Sequence, residues 1–147
     1  MPDPRVLKLA QIMVHYSLDL KPGQQVWLRT APIAQEFNLA FYELAVKAGV
    51  YVLVDQAIPG AEEAYYKYAS DQLLDFVPPH GRLLAETFDA SLRVWADENT
   101  RSLAGVNPRR IARGKRAGVD LFKTVMKRSA EGTYRWCVTV HPTPAMA

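Results

Sequence analysis

A chain of 147 residues, 49% apolar and 22% charged, has the length of one domain and the composition of an ordinary globular protein, which excludes a disordered or collagen-like chain. Its single cysteine, Cys137, excludes an intramolecular disulfide and a thiolate metal cage. The net charge of +3 invites a nucleic-acid reading, but Arg109, Arg110, Arg113, Lys115 and Arg116 have no aromatic residue among them, as a solvated helix face would and a stacking platform would not.

The start of the chain lacks the apolar core of a signal peptide, and no window approaches the roughly 20 apolar residues of a membrane span. A cytoplasmic protein with neither membrane nor nucleic acid as partner is expected. Asp3-Pro4 reads as an N-cap followed by proline at the first helical position. Val6, Leu9, Ala10, Met13, Tyr16 and Ser17 then form one apolar stripe, predicting a helix over about residues 4 to 17. Lys21-Pro-Gly-Gln24 has the chemistry of a type II turn.

Gln25 to Thr30 is the first strand, and Ile33, Phe37, Ala40, Phe41, Leu44, Ala45 and Ala48 give the next helix an apolar face suited to a sheet. Gly49 ends that helix. Val50 to Asp55 is almost continuously apolar and predicts a strand covered on both faces. Short helices are expected over 61–69, 70–76 and 79–88, followed by a third strand from Ser91. Asn107 caps a long basic helix that runs to about Ser129 or Glu131, with Ile111, Gly114, Gly118, Leu121, Phe122 and Val125 on its buried side. Its two glycines should let the helix approach the sheet closely. Tyr134 to Val140 is the fourth strand, and His141-Pro-Thr-Pro leads out of it.

Strands separated by helical crossovers pair in parallel with right-handed connections. The fold class is therefore α/β: a doubly wound, mainly parallel four-stranded sheet, order 2-1-3-4, with helices on both faces. A switch point then lies between strands 1 and 3, where such sheets collect ligands. The dinucleotide fingerprint is missing, because strand 1 exits through Thr30-Ala-Pro-Ile33 without glycine, and Asp55 at the ribose-acid position reads as a loop polar group.

No catalytic constellation assembles from these residues. The polar loop that leaves strand 3, with Asp97, Glu98, Asn99, Thr100 and Arg101, is a candidate ligand edge or interface, and His141 could reach Asp97 and Glu98. A loop histidine beside a solvated acidic pair accounts for the same residues. His15 belongs on the surface of the first helix, His80 in the loop after Pro78-Pro79, and Cys137 mid-strand as a small buried hydrophobe.

Four stretches then carry a resemblance: Leu18-Asp-Leu-Lys-Pro-Gly-Gln-Gln-Val26, Ala45-Val-Lys-Ala-Gly-Val-Tyr-Val52, Glu98-Asn-Thr-Arg-Ser-Leu-Ala-Gly-Val-Asn-Pro-Arg-Arg-Ile111, and Tyr134-Arg-Trp136 with His141-Pro-Thr-Pro-Ala-Met-Ala147. In this order they resemble the N-terminal region of the thermophilic metalloprotease family that includes aminopeptidase T and AmpS. The resemblance implies an α/β N-terminal domain over 1–140, with 141–147 starting a linker to a C-terminal catalytic domain. That second domain would hold two divalent ions (zinc, cobalt or magnesium), with Glu, His, Tyr and Asp ligands that have no matching positions here. The same resemblance implies peptide substrates, the catalytic domain as the main partner and room for a homodimer, and it makes this chain alone inactive. A stand-alone α/β module that binds a small molecule or protein is the alternative.

Overall fold

In the computed structural model, which describes residues 3–96, 99 and 101–142, the Asp3 side chain accepts a hydrogen bond from the Arg5 N–H and Pro4 occupies the first turn of α1 (Pro4–Ile12). The helix continues as a π turn over Met13–Ser17, where the Leu18 N–H reaches back to the Met13 carbonyl at 3.0 Å. That wider turn shifts the apolar stripe. Tyr16, expected on it, is 81% exposed, while Val14 and Leu18 are buried in its place.

Gly23, at φ 86°, supplies the left-handed position of the predicted turn, whose Gln24 N–H bonds the Lys21 carbonyl at 3.1 Å. β1 (Gln25–Thr30) then leads through a 3-10 turn, Pro32–Ala34, into α2 (Gln35–Lys47). Thr30 Oγ1 donates to Asn38 Oδ1 at 2.6 Å and Asn38 Nδ2 donates to the Ala31 carbonyl at 3.1 Å, which ties the end of the strand to the helix.

β2 (Tyr51–Gln56), α3 (Ala61–Tyr68), α4 (Asp71–Leu74), α5 (Pro79–Thr87) and β3 (Ala90–Trp95) follow. The basic segment is not one helix: α6 (Pro108–Ala117) and α7 (Val119–Ala130) meet at Gly118, where φ −90° and ψ 1° leave the helical region. β4 (Arg135–Val140) completes the sheet.

All strand pairs are parallel, as the helical crossovers require, and the order is β2-β1-β3-β4, as expected. The register places Val26, Leu28, Leu92, Val94 and Val52 on one face, against α1, the π turn and α2. The opposite face carries Trp27, Arg29, Ser91, Arg93, Trp95, Trp136 and Val138. Here α5 and α7 cover only part of the sheet, through Leu84, Phe88, Val125 and Tyr134 packed on Trp27 and Leu53. A third cluster joins α3, α4 and α6 through Tyr66, Leu74, Val106 and Ile111.

Two further sequence expectations change. β2 is an edge strand, so Tyr51 and Val54 are exposed instead of covered on both faces. α6 and α7 bury no residue fully, and their glycines do not meet the sheet. A Cβ on Gly114 would lie 2.7 Å from Tyr66 Cε1, so that close approach is to α3, whereas at Gly118 the nearest atom is the Lys115 carbonyl oxygen at 3.8 Å. Residues 143–147, expected to begin a linker, lie outside the described residues.

Candidate functional site

The predicted polar edge is only partly in view, because Asp97, Glu98 and Thr100 lie outside the described residues. Asn99 is engaged locally: its Oδ1 accepts the Arg101 N–H at 3.0 Å, a side-chain-closed turn that leaves Arg101 exposed. The His141 N–H donates to the Trp95 carbonyl at 2.8 Å, extending the β3–β4 ladder by one residue. That bond places His141 at the carboxyl end of the sheet, one residue past β4.

Asp55 Oδ2 accepts the Trp27 indole N–H at 3.1 Å, linking the two strands. His15 is exposed on the π turn, and His80, expected in a loop, stands in the first turn of α5. Cys137 is half-buried with its Sγ 3.7 Å from Met13 Sδ.

Much of the basic charge is spent on holding helices together. Arg110 Nε donates to the Tyr66 carbonyl at 2.8 Å, and its Nη2 reaches the Ala69 carbonyl. Arg113 forms a two-pronged bond with Asp75, both contacts at 2.7 Å, and also approaches Asp71 at 3.3 Å. This fork holds the Asp75 carboxyl below the usual carboxylate range and raises the Arg113 pKa. Arg128 reaches the Ala85, Phe88 and Thr133 carbonyls at 3.0, 2.6 and 3.1 Å and lies over the Tyr134 ring at 5.3 Å. Burial is the main reason that the Tyr134 phenol is pushed up. These contacts pin α5, α6 and α7 in place.

What α5 and α7 frame is a groove of about 470 Å³ on the half-covered sheet face. Trp27, Arg29, Arg93, Phe122, Tyr134 and Trp136 line it. Trp136 is 50% and Phe122 64% exposed, unusual for large aromatics beside a sheet. The Arg29 side chain is exposed, with its guanidinium 4.5 Å from the centre of the Trp27 ring. Desolvation by the protein around it lowers its pKa, and the like charge of Arg93 adds to the effect. Sequence reasoning missed this constellation. Its signal was a polar residue interrupting each central strand, Arg29 in Gln-Val-Trp-Leu-Arg-Thr and Arg93 in Ser-Leu-Arg-Val-Trp.

Comparisons with known proteins now bear on the chain. A family model described as thermophilic metalloprotease (M29) matches residues 3–147. Among solved structures, wild-type AmpT from Thermus thermophilus superposes with a TM-score of 0.72 at 22% identity, over 95% of this chain and 36% of that one. The similarity confirms the fold, and the chain spans little more than a third of that structure's length. No curated protein matches. A metalloprotease family implies divalent ions, yet among the described residues no group of three or more His, Cys, Asp or Glu side chains could hold one. Nor is any described helix long and apolar enough to cross a membrane. The match over essentially its whole length shows that the chain belongs to the M29 thermophilic metalloprotease family.

Proposed function

We propose that the intact protein is a metal-dependent aminopeptidase that releases N-terminal amino acids from peptides, and that this chain is its N-terminal, non-catalytic domain. One observation carries the reading: the family match runs through residues 3–147, while the chain spans only 36% of the AmpT structure. The ligands for two divalent ions then belong to the remainder, for which residues 141–147 begin the connection. The contribution of this domain is shape. Its open sheet face and aromatic groove border the path of a peptide, and the latch of Arg128 between α7 and the end of α5 keeps that border rigid. The enzyme acts in the cytoplasm on peptides, with its catalytic domain as the main partner of this one and a homodimer as its assembly.

Deleting residues 1–140 from the full-length parent tests this. Altered kcat/KM or oligomeric state is expected, and a truncated enzyme unchanged in both would count against the domain's role. A coding sequence that stops at Ala147 would favour a stand-alone binding module instead.

A further inference from the structure

The switch point of the sheet falls between β1 and β3, since β2 lies on one side of β1 and β3 on the other. Ligands of open α/β sheets bind in the crevice outside the carboxyl ends of the strands at such a point, and Arg29 and Arg93 stand one and two residues before the ends of β1 and β3. Arg29 and Arg93 are direct partners across this junction, on the half-covered face. Neighbouring strands lie about 4.8 Å apart, so two positive side chains leave the sheet next to each other and repel. Among the described residues neither is in an ion pair. Asp55, the β2 partner of Arg29, attracts it only at longer range and spends Oδ2 on the Trp27 indole.

Local rules of stability are broken most often where function requires it. A lone pair of arginines on a solvated sheet would cost little. This pair instead lines a groove together with Trp27, Trp136, Tyr134 and Phe122. Its volume of about 470 Å³ is within the roughly 300–1,000 Å³ of small-ligand sites.

We propose that Arg29 and Arg93 form a carboxylate subsite that takes the free C-terminal carboxylate of a short peptide, with the adjoining apolar side chain against Trp136 and Phe122. A planar guanidinium matches a carboxylate with two parallel hydrogen bonds, and two guanidiniums flanking one anion cancel the repulsion between them. The aromatic walls supply the apolar surface that an anion alone would not need. The choice of a peptide rests on the aminopeptidase reading, whereas the choice of a carboxylate on an apolar body rests on the groove.

The test is a titration of the ¹⁵N-labelled 147-residue chain with N-acetyl-Ala-Ala-Phe and with its C-terminal amide, followed at the tryptophan indole N–H signals. The acid should shift the Trp27 and Trp136 signals saturably, and the amide should bind about tenfold more weakly or worse, the loss expected on removing a charge-assisted pair. Arg29→Gln and Arg93→Gln, each with a dispersed spectrum, should weaken the acid to the level of the amide and leave the amide unchanged. Equal binding of acid and amide, shifts only outside the groove, no saturable shift with either probe, or inorganic phosphate competing as well as the acid would overturn the subsite. Because no peptidase activity is read, failure here leaves the family-based reading standing, and failure of the deletion experiment leaves acid–amide discrimination standing.

Discussion

The two faces of the sheet are made from the same four strands and differ in what covers them. On one, α1, the π turn and α2 bury Val26, Leu28, Leu92 and Val94 together with Phe37 and Phe41. On the other, α5 and α7 cover one part and leave Trp95, Trp136 and Val138 about half exposed. The sealed face is built from interchangeable apolar residues and carries stability. The open face keeps two arginines and several aromatics where a domain built only for stability would place aliphatics. The contrast separates the residues that seal the core from those that the proposed carboxylate subsite would use.

The sharpest way to break this contrast is to cut side chains on each face. Phe41→Ala on the sealed face should cost about 3–5 kcal/mol, whereas Val138→Thr on the open face should stay within about 0.5 kcal/mol. Urea midpoints at constant m would show it, and equal losses would mean that the open face is as structural as the sealed one.

A smaller effect compares the two glycines of the basic segment. Gly114→Ala should destabilise by about 1–3 kcal/mol, because Tyr66 must move from a position 2.7 Å from the new methyl group. Gly118→Ala meets only the Lys115 carbonyl oxygen, at an ordinary contact distance of 3.8 Å and a negative φ, and should be neutral or stabilise by up to about 1 kcal/mol. Thermal melts of the two variants would settle the order, and a reversed order would return the close approach to Gly118.

The sheet order was legible because each strand is followed by a helical crossover, and parallel pairing then leaves few topologies. Helix starts were legible wherever an Asx residue preceded proline, as at Asp3-Pro4 and Asn107-Pro108. Burial was not. The apolar run Val50–Val54 looks the same in a central strand and at an edge, and only the strand order exposes Tyr51 and Val54. The periodicity of Ile111, Leu121 and Phe122 indicates an apolar stripe without saying that a partner covers it, and here Phe122 faces the groove. The candidate site was hardest, since Arg29 and Arg93 are 64 residues apart and meet only through the register of two strands. Even the correct strand order leaves that register open.

The smallest expected effect concerns pH. Arg113 holds the Asp75 carboxyl down, as Lys21 does Asp19 and Arg5 does Asp3. A depressed folded-state pKa contributes stability that is fully present above the unfolded value of 3.8 and is lost as pH falls through the lower folded value. These pairs are solvent-screened, so Asp75→Asn should flatten the acid limb of stability only slightly, and less still in high salt. A variant with a steeper acid limb would contradict the sign.

The measurement closest to the central claim is an aminopeptidase assay of the purified 147-residue chain with cobalt, zinc or magnesium supplied in turn. The account predicts a folded chain that releases no N-terminal residues from peptides above the metal-only control. Robust metal-dependent release, abolished by chelator and restored by metal, would contradict it and place the catalytic machinery within these residues.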